Sequence, residues 1–297
     1  MSRAEPTTQR PTGSTRSPLA QLAAEHGLQR VGVRPTFEAY LAQAWERRHF
    51  MVAMAASKAY ARNQAGYLGQ VWAVLTPALW AGVYLLVFGV VLQTNRGIAN
   101  YTGFLVIGVF LFHFSTSSIS NGSKAITNNA ELIGSLQFPR VLLPMAAVLA
   151  ELFTLLPALV VMVVVVLASG EPVTASWLLL PVAVGLQWVF GTGIALVFAR
   201  LVAQVRDVAR LVPFVLRALM YTSGVFFSLS HYVHDPTAAA ILQHQPIALY
   251  LELARSALLR EVPADPSAWL WGVGWALGAA LVGLWFFWGA EERYGRG

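Results

Sequence analysis

The chain contains no cysteine, little charge and no phosphate-binding loop, and each absence removes a class of function. Without cysteine there are no disulfides and no thiolate metal sites. Only 11% of the 297 residues are charged, where soluble domains carry about 25%. The 57% that are hydrophobic exceed what one water-soluble core could hide, so lipid must solvate much of the surface. A Walker A loop needs Gly-x4-Gly-Lys-Ser/Thr to cradle phosphates. The nearest stretch, Gly122-Ser123-Lys124, lacks that spacing. The chain is therefore expected to hydrolyse no ATP and to bind no cofactor or metal of its own. The formal charge of +6 would suit nucleic acid, but the basic residues cluster between apolar runs, where membrane proteins keep topological signals. Lysine is scarce as well: of the twenty basic residues only Lys58 and Lys124 are not arginine.

Six apolar runs are long enough for a hydrocarbon core, which takes ~20 helical residues. They lie near Trp72–Gln93, Tyr101–Gly122, Val141–Ala168, Thr174–Ala199, Leu211–Ser230 and Ala268–Gly289. The expected fold is an all-α, polytopic membrane protein of six transmembrane helices. Arg217 interrupts the fifth run near one end, where its head can snorkel. Six crossings return both termini to one side. With the N-terminus inside, only Arg96, Arg255 and Arg260 fall in external segments, and the other seventeen basic residues are internal. That bias places both termini in the cytoplasm.

Residues 1–35 are polar, rich in Pro, Ser, Thr and Arg, and read as a disordered cytoplasmic tail. Residues 36–66 read as an amphipathic interfacial helix. Thr36 is a plausible cap, and Phe37, Tyr40, Leu41, Ala44, Trp45, Met51, Val52 and Ala55 recur at helical spacing. Residues 67–297 form the spanning region, with an internal loop at 124–140 and an external loop at 231–266. Within the latter, Ile247–Arg260 follows Pro246 and is too short to cross, so it is expected to be a re-entrant or surface-lying external helix.

Chemistry-bearing constellations are few. His231, His234 and Asp235 could hold a metal ion, although polar residues at a solvated span end account for them more simply. His244, Glu252 and Asp265 add ionisable groups outside, without the spacing a membrane-embedded glycosyl- or acyltransferase would need. His113 and Glu151 lie inside the second and third runs. Counted from Gly122 and Val141 respectively, both come out ~14–15 Å deep, so they are expected to pair across adjacent helices. A packing hydrogen bond and a transport role are both open to them. Tyr84, Phe88, Tyr221, Phe226 and Phe227 offer flat faces suited to sugar rings, and equally to plain packing. Gly274-x3-Gly278 in the last run permits close helix approach.

The order of these elements resembles the permease subunit of type-2 ABC exporters, in the branch that exports lipid-linked polysaccharides such as O-antigen, teichoic acid and galactan. The likeness runs from about Phe37 to the C-terminus. Tyr67-Leu68-Gly69-Gln70-Val71-Trp72 followed by Pro77 is similar to the family's Leu-Gly-x-x-Trp-x4-Pro. Asn129-Ala130-Glu131-Leu132-Ile133, then Phe138-Pro139-Arg140 and Pro144, also resembles the family, as do Arg206-Asp207 and Pro246…Tyr250…Arg255. The chain has Gln245-Pro246 where the family often has Asn-Pro, and Ser223-Gly224 where it often has Ser-Pro.

The resemblance implies a location in the inner (plasma) membrane and a homodimer docked to two separate ABC ATPase subunits that bind ATP and Mg. The substrate would be a lipid-linked glycan, with cell-wall galactan as one candidate. It also implies that spans one, two and five line the channel. Tyr84, Phe88, Phe104, His113, Glu151, Tyr221, Phe226 and Phe227 are the candidate lining residues. For ATPase docking, Ile126, Leu132, Ile133, Leu136 and Phe138 would present an apolar ridge on the internal loop, with Lys124, Asn129, Glu131, Arg206 and Asp207 around it. An exporter of lipids, drugs or peptides on the same scaffold is the competing transporter reading.

Overall fold

The computed structural model describes residues 35–64, 69, 71–91, 98–228, 235–291 and 294, and all regular structure among them is helical. The N-terminal tail, His231 and His234 lie outside the described residues, as do most of the Tyr67–Gln70 motif positions.

Helix α1 (Phe37–Glu46) starts where the Thr36 hydroxyl accepts from the Ala39 N–H at 3.4 Å, and it breaks at Arg47 into α2 (Arg48–Gln64). The pair is amphipathic as its pattern requires. Tyr40 and Ala55 are buried, whereas Leu41, Trp45, Val52 and Tyr60 stay exposed.

Among the described residues five helical segments are long and apolar enough to cross a membrane. The first is α3 (Val71–Tyr84), continued by a π-helical stretch through Val91. The others are α4 (Tyr101–Ser123), α6 (Leu142–Ala168), α7 (Leu180–Gln204, preceded by a 3-10 turn from Ala175) and α11 (Pro266–Trp288). Between α4 and α6 stands the short α5 (Ala130–Ser135).

The fifth expected run behaves differently. Its helix, α8 (Val208–Thr222), has 15 residues, or about 22 Å, short of a ~30 Å hydrocarbon core. It stops because Gly224 turns the chain at φ +63°, a conformation that costs glycine alone no steric penalty. Only Val212 and Leu216 of α8 are buried, against Ile119, Ile194 and Phe198. Beyond α9 (Pro236–Gln243) comes α10 (Pro246–Leu258). Of its 13 residues ten are buried, so it is an interior helix packed on α4, α7 and α11 and the surface-lying alternative does not hold.

The close crossing in the bundle is also not the one the glycine spacing suggests. Gly274 and Gly278 face open space. It is Gly193 of α7 and Gly283 of α11 that meet, each placed so that an added Cβ would fall on the other helix's backbone.

Candidate functional site

A cavity of about 160 Å³ opens between α3, α4 and α8. Trp80 and Tyr84 wall it from α3, Val109, Phe112, His113 and Thr116 from α4, Met220 from α8, and Val225 from the corner beyond. The helical period builds this wall. Trp80 and Tyr84 sit one turn apart and stack at 5.7 Å, and Val109, Phe112, His113 and Thr116 share one face of α4. One end is packed with rings. Phe226 lies face to face on Phe88 at 4.3 Å and 7°, edge-on to Tyr84 at 4.8 Å, and 6.1 Å from Tyr221. Polar atoms are sparse here: His113 Nε2 lies 3.4 Å from Ser117 Oγ, and the Tyr84 hydroxyl is 3.8 Å from Met220 Sδ. Such a surface can stack planar or ring-shaped apolar faces.

Of the candidate lining residues, Tyr84, Phe88, His113, Tyr221 and Phe226 converge on this region, and Phe227 is half-buried against the main core beside it. Phe104 and Glu151 do not line it. Phe104 is buried beneath the Arg255 guanidinium, whose centre is 3.4 Å from the ring centroid. Glu151 is buried and accepts from Asn121 Nδ2 at 2.7 Å. The expected His113–Glu151 pair fails on register. Gly122 lies against Val148, so α6 extends two turns past the end of α4, and the two positions are offset by ~9 Å along the helix axes. Trp80, Val109, Phe112, Thr116, Met220 and Val225 line it without having been singled out by the sequence. Trp80, one turn before Tyr84 on the same face, was the recoverable signal.

The second candidate surface is the segment 124–140 with α1 and α2 beside it. Here the apolar ridge is turned inward. Ile126 and Ile133 are buried in a cluster with Tyr40, Leu142, Leu143 and Phe287, and Leu132 and Phe138 pack partly against it. Phe138 also meets the Phe50 ring at 5.4 Å. What remains exposed is Thr127, Asn128, Ala130, Glu131, Gly134, Ser135 and Gln137, with Leu136 as the one exposed large apolar side chain. The physical reason is amphipathic: so short a helix as α5 has one apolar side, and the protein core claims it. Lys124 and Asn129 are half-buried. Asn129 takes the Lys58 ammonium at 3.4 Å, and burial pushes Lys58 below its ordinary pKa. Arg206 and Asp207 are exposed at the α7–α8 corner.

A network that the sequence did not announce secures this face. The Tyr40 hydroxyl donates to Glu291 at 2.7 Å and accepts from the Val141 N–H at 3.1 Å. The Arg140 N–H donates to the other Glu291 carboxylate oxygen at 2.9 Å, and the Arg140 guanidinium reaches the Glu291 carbonyl. Burial pushes Glu291 up, and the donations from Arg140 and Tyr40 oppose it. Burial and the neighbouring carboxylate hold Tyr40 well above the ordinary tyrosine range.

Among the described residues no group of three His, Asp or Glu side chains is placed to hold a metal ion. Asp265 caps α11, accepting from Ser267, and the His244 carbonyl accepts from Trp275. Long apolar helices that close on an aromatic cavity are the build of a polytopic membrane protein. The chain belongs to the ABC-2 type transporter family, whose model matches residues 50–259, and it is accordingly a transporter permease and not an enzyme. It is 26% identical over 200 residues to the O-antigen export system permease protein RfbA of Myxococcus xanthus, covering 67% of this chain and 76% of that protein. To the protein of the same name from Klebsiella pneumoniae it is 30% identical over 169 residues, 56% of this chain and 64% of that one. It is 26% identical over 194 residues to the polysialic acid transport protein KpsM of Escherichia coli, covering 65% and 74%.

Proposed function

We propose that the chain is the membrane half of an exporter that moves a lipid-linked polysaccharide outward across the inner membrane. It works as a homodimer driven by two separate ATPase subunits that carry ATP and Mg. The observation that carries this reading is the cavity itself, walled by α3, α4 and α8, with α3 almost bare on its other faces. Leaving a sugar hydroxyl unpaired in a hydrocarbon medium costs ~4–8 kcal/mol, so a glycan needs a protein-lined path. Aromatic faces suit sugar rings while leaving their hydroxyls to water. A second copy would close the open side. The names of the relatives, concerned with O-antigen and polysialic acid, support a polysaccharide as cargo.

In this reading α8 and the corner at Gly224 together make the sixth crossing, and α10 is a re-entrant element on the outer side. The 124–140 segment and the Arg206-Asp207 corner form the cytoplasmic docking face, presented by polar side chains around Leu136. Both termini are cytoplasmic on the basic bias.

Two measurements test it. Cells lacking the chain should lose surface polymer and accumulate lipid-linked glycan inside; normal surface polymer would refute the cargo. For topology the absence of native cysteine is an advantage. A cysteine at Thr237 should react with an impermeant reagent from outside and one at Asn128 should not; the opposite pattern would invert the orientation.

A further inference from the structure

Arg255 of α10 is a buried cation, 2% exposed, whose hydrogen bonds among the described residues all go to backbone carbonyls. Its Nη1 donates to the Gly224 carbonyl at 2.9 Å and its Nη2 to that of Val225 at 3.2 Å. Nε and Nη2 both reach the Phe104 carbonyl, at 3.3 and 3.2 Å. The next carbonyl along, that of Phe226, accepts from the Tyr101 hydroxyl at 3.0 Å. Three successive carbonyls beyond the end of α8, past the reach of helical amides, are thus each held by a side chain from another element. Irregular backbone at membrane depth persists only where its polar groups are satisfied inside protein. Gly108 of α4 leaves the room: an added Cβ there would stand 2.6 Å from Arg255 Nη2 and 3.0 Å from the Val225 carbonyl oxygen.

A neutral donor could satisfy one carbonyl at a smaller desolvation cost. Only a planar, five-donor fork reaches three carbonyls at once and fixes their relative positions. The other side of the same segment faces the cavity, since Val225 lines it and Phe226 stacks on Phe88. The Phe88 side is held very differently. The π-helical stretch Leu85–Val91 buries none of its residues and meets Phe226 through ring contacts. Ring contacts separate more readily than a set of charge-assisted hydrogen bonds.

We propose that Arg255, with Tyr101, is a positioning residue that fixes Gly224–Phe226 as the immobile wall of the transport path. The path then opens at the Phe88–Phe226 contact by movement of α3. The assignment rests on the transporter reading above but not on the identity of the cargo.

The test uses the complete exporter with its ATPase in proteoliposomes. Phe88→Cys with Phe226→Cys, bridged by a short bifunctional methanethiosulfonate, should stop ATP-driven export, and reductant should restore it. Unchanged export in the bridged protein would overturn the proposal. Arg255→Gln should leave ATP hydrolysis in place but raise the resting leak of a small trapped dye about tenfold, because the wall is no longer held. Arg255→Lys, which keeps the charge without the fork, should leak to an intermediate degree. If Arg255→Gln does not fold, Arg255→Lys and the bridged pair decide. A folded Arg255 variant that stays tight and exports normally would overturn the role. Dye leak is read without glycan, so a wrong cargo would leave that outcome intact.

Discussion

The helices α3 and α4 are both apolar enough to cross a bilayer, yet 6% of the α3 span is buried against 78% of the α4 span. In lipid, apolar side chains gain little by leaving the solvent, so helices associate through close packing and interhelical hydrogen bonds. α4 has the means for both. Gly103, Gly108 and Gly122 admit neighbours, Ser115 accepts from Gln187 at 2.7 Å, and Asn121 reaches Glu151. α3 offers Val83, Leu86 and Val90 to the outside and packs on α4 and α6 along part of its surface, with its rings at the cavity. One helix is the axis of the fold. The other stands at the edge with much of its surface exposed.

The contrast can be broken most forcefully by truncating equivalent leucines. Leu111→Ala in α4, where the side chain is fully buried, should cost about 2–5 kcal/mol. Leu86→Ala in α3, 59% exposed, should stay within about 0.5 kcal/mol. Thermal unfolding in detergent reads both. Equal losses would mean that α3 is packed after all, and a loss confined to the dimer would place Leu86 under the second copy.

The same logic separates two positions on the proposed docking face. Ile133→Asp puts a charge into the cluster beneath that face and should destabilise the permease by about 2–4 kcal/mol. Leu136→Asp should leave stability within about 0.5 kcal/mol while weakening recovery of the ATPase about tenfold or more. If Ile133→Asp unfolds nothing but abolishes ATPase binding, the ridge faces outward and Ile133 is not part of the core.

The smallest effect lies on the α4–α6 flank. Asn121→Ala and Glu151→Gln should be less than additive by roughly 1 kcal/mol, since they share one hydrogen bond. His113→Gln with Glu151→Gln should add to within about 0.5 kcal/mol. A coupled His113–Glu151 cycle would restore the pair that the register denies.

Solvent preference is a property of composition and run length. The sequence by itself therefore determined that the chain lives in lipid, where five of the long apolar helices lie and that Thr36 starts α1. Its ordered motifs pointed to a type-2 exporter permease, the family to which the chain belongs. Direction and register are not properties of a run. Only the tertiary structure decided that Ile126 and Ile133 turn inward, that Gly193 and Gly283 rather than Gly274 and Gly278 carry the close crossing, and that Gly224 ends α8. It also decided that Asn121 takes Glu151 and that Arg255, an external motif residue by its position, is a buried fork across three carbonyls. The reason is one of scale. Hydropathy sums over some twenty residues and survives any rotation of the helix, whereas a contact depends on the rotation and axial offset of two helices, which are settled jointly by all the neighbours packed around them.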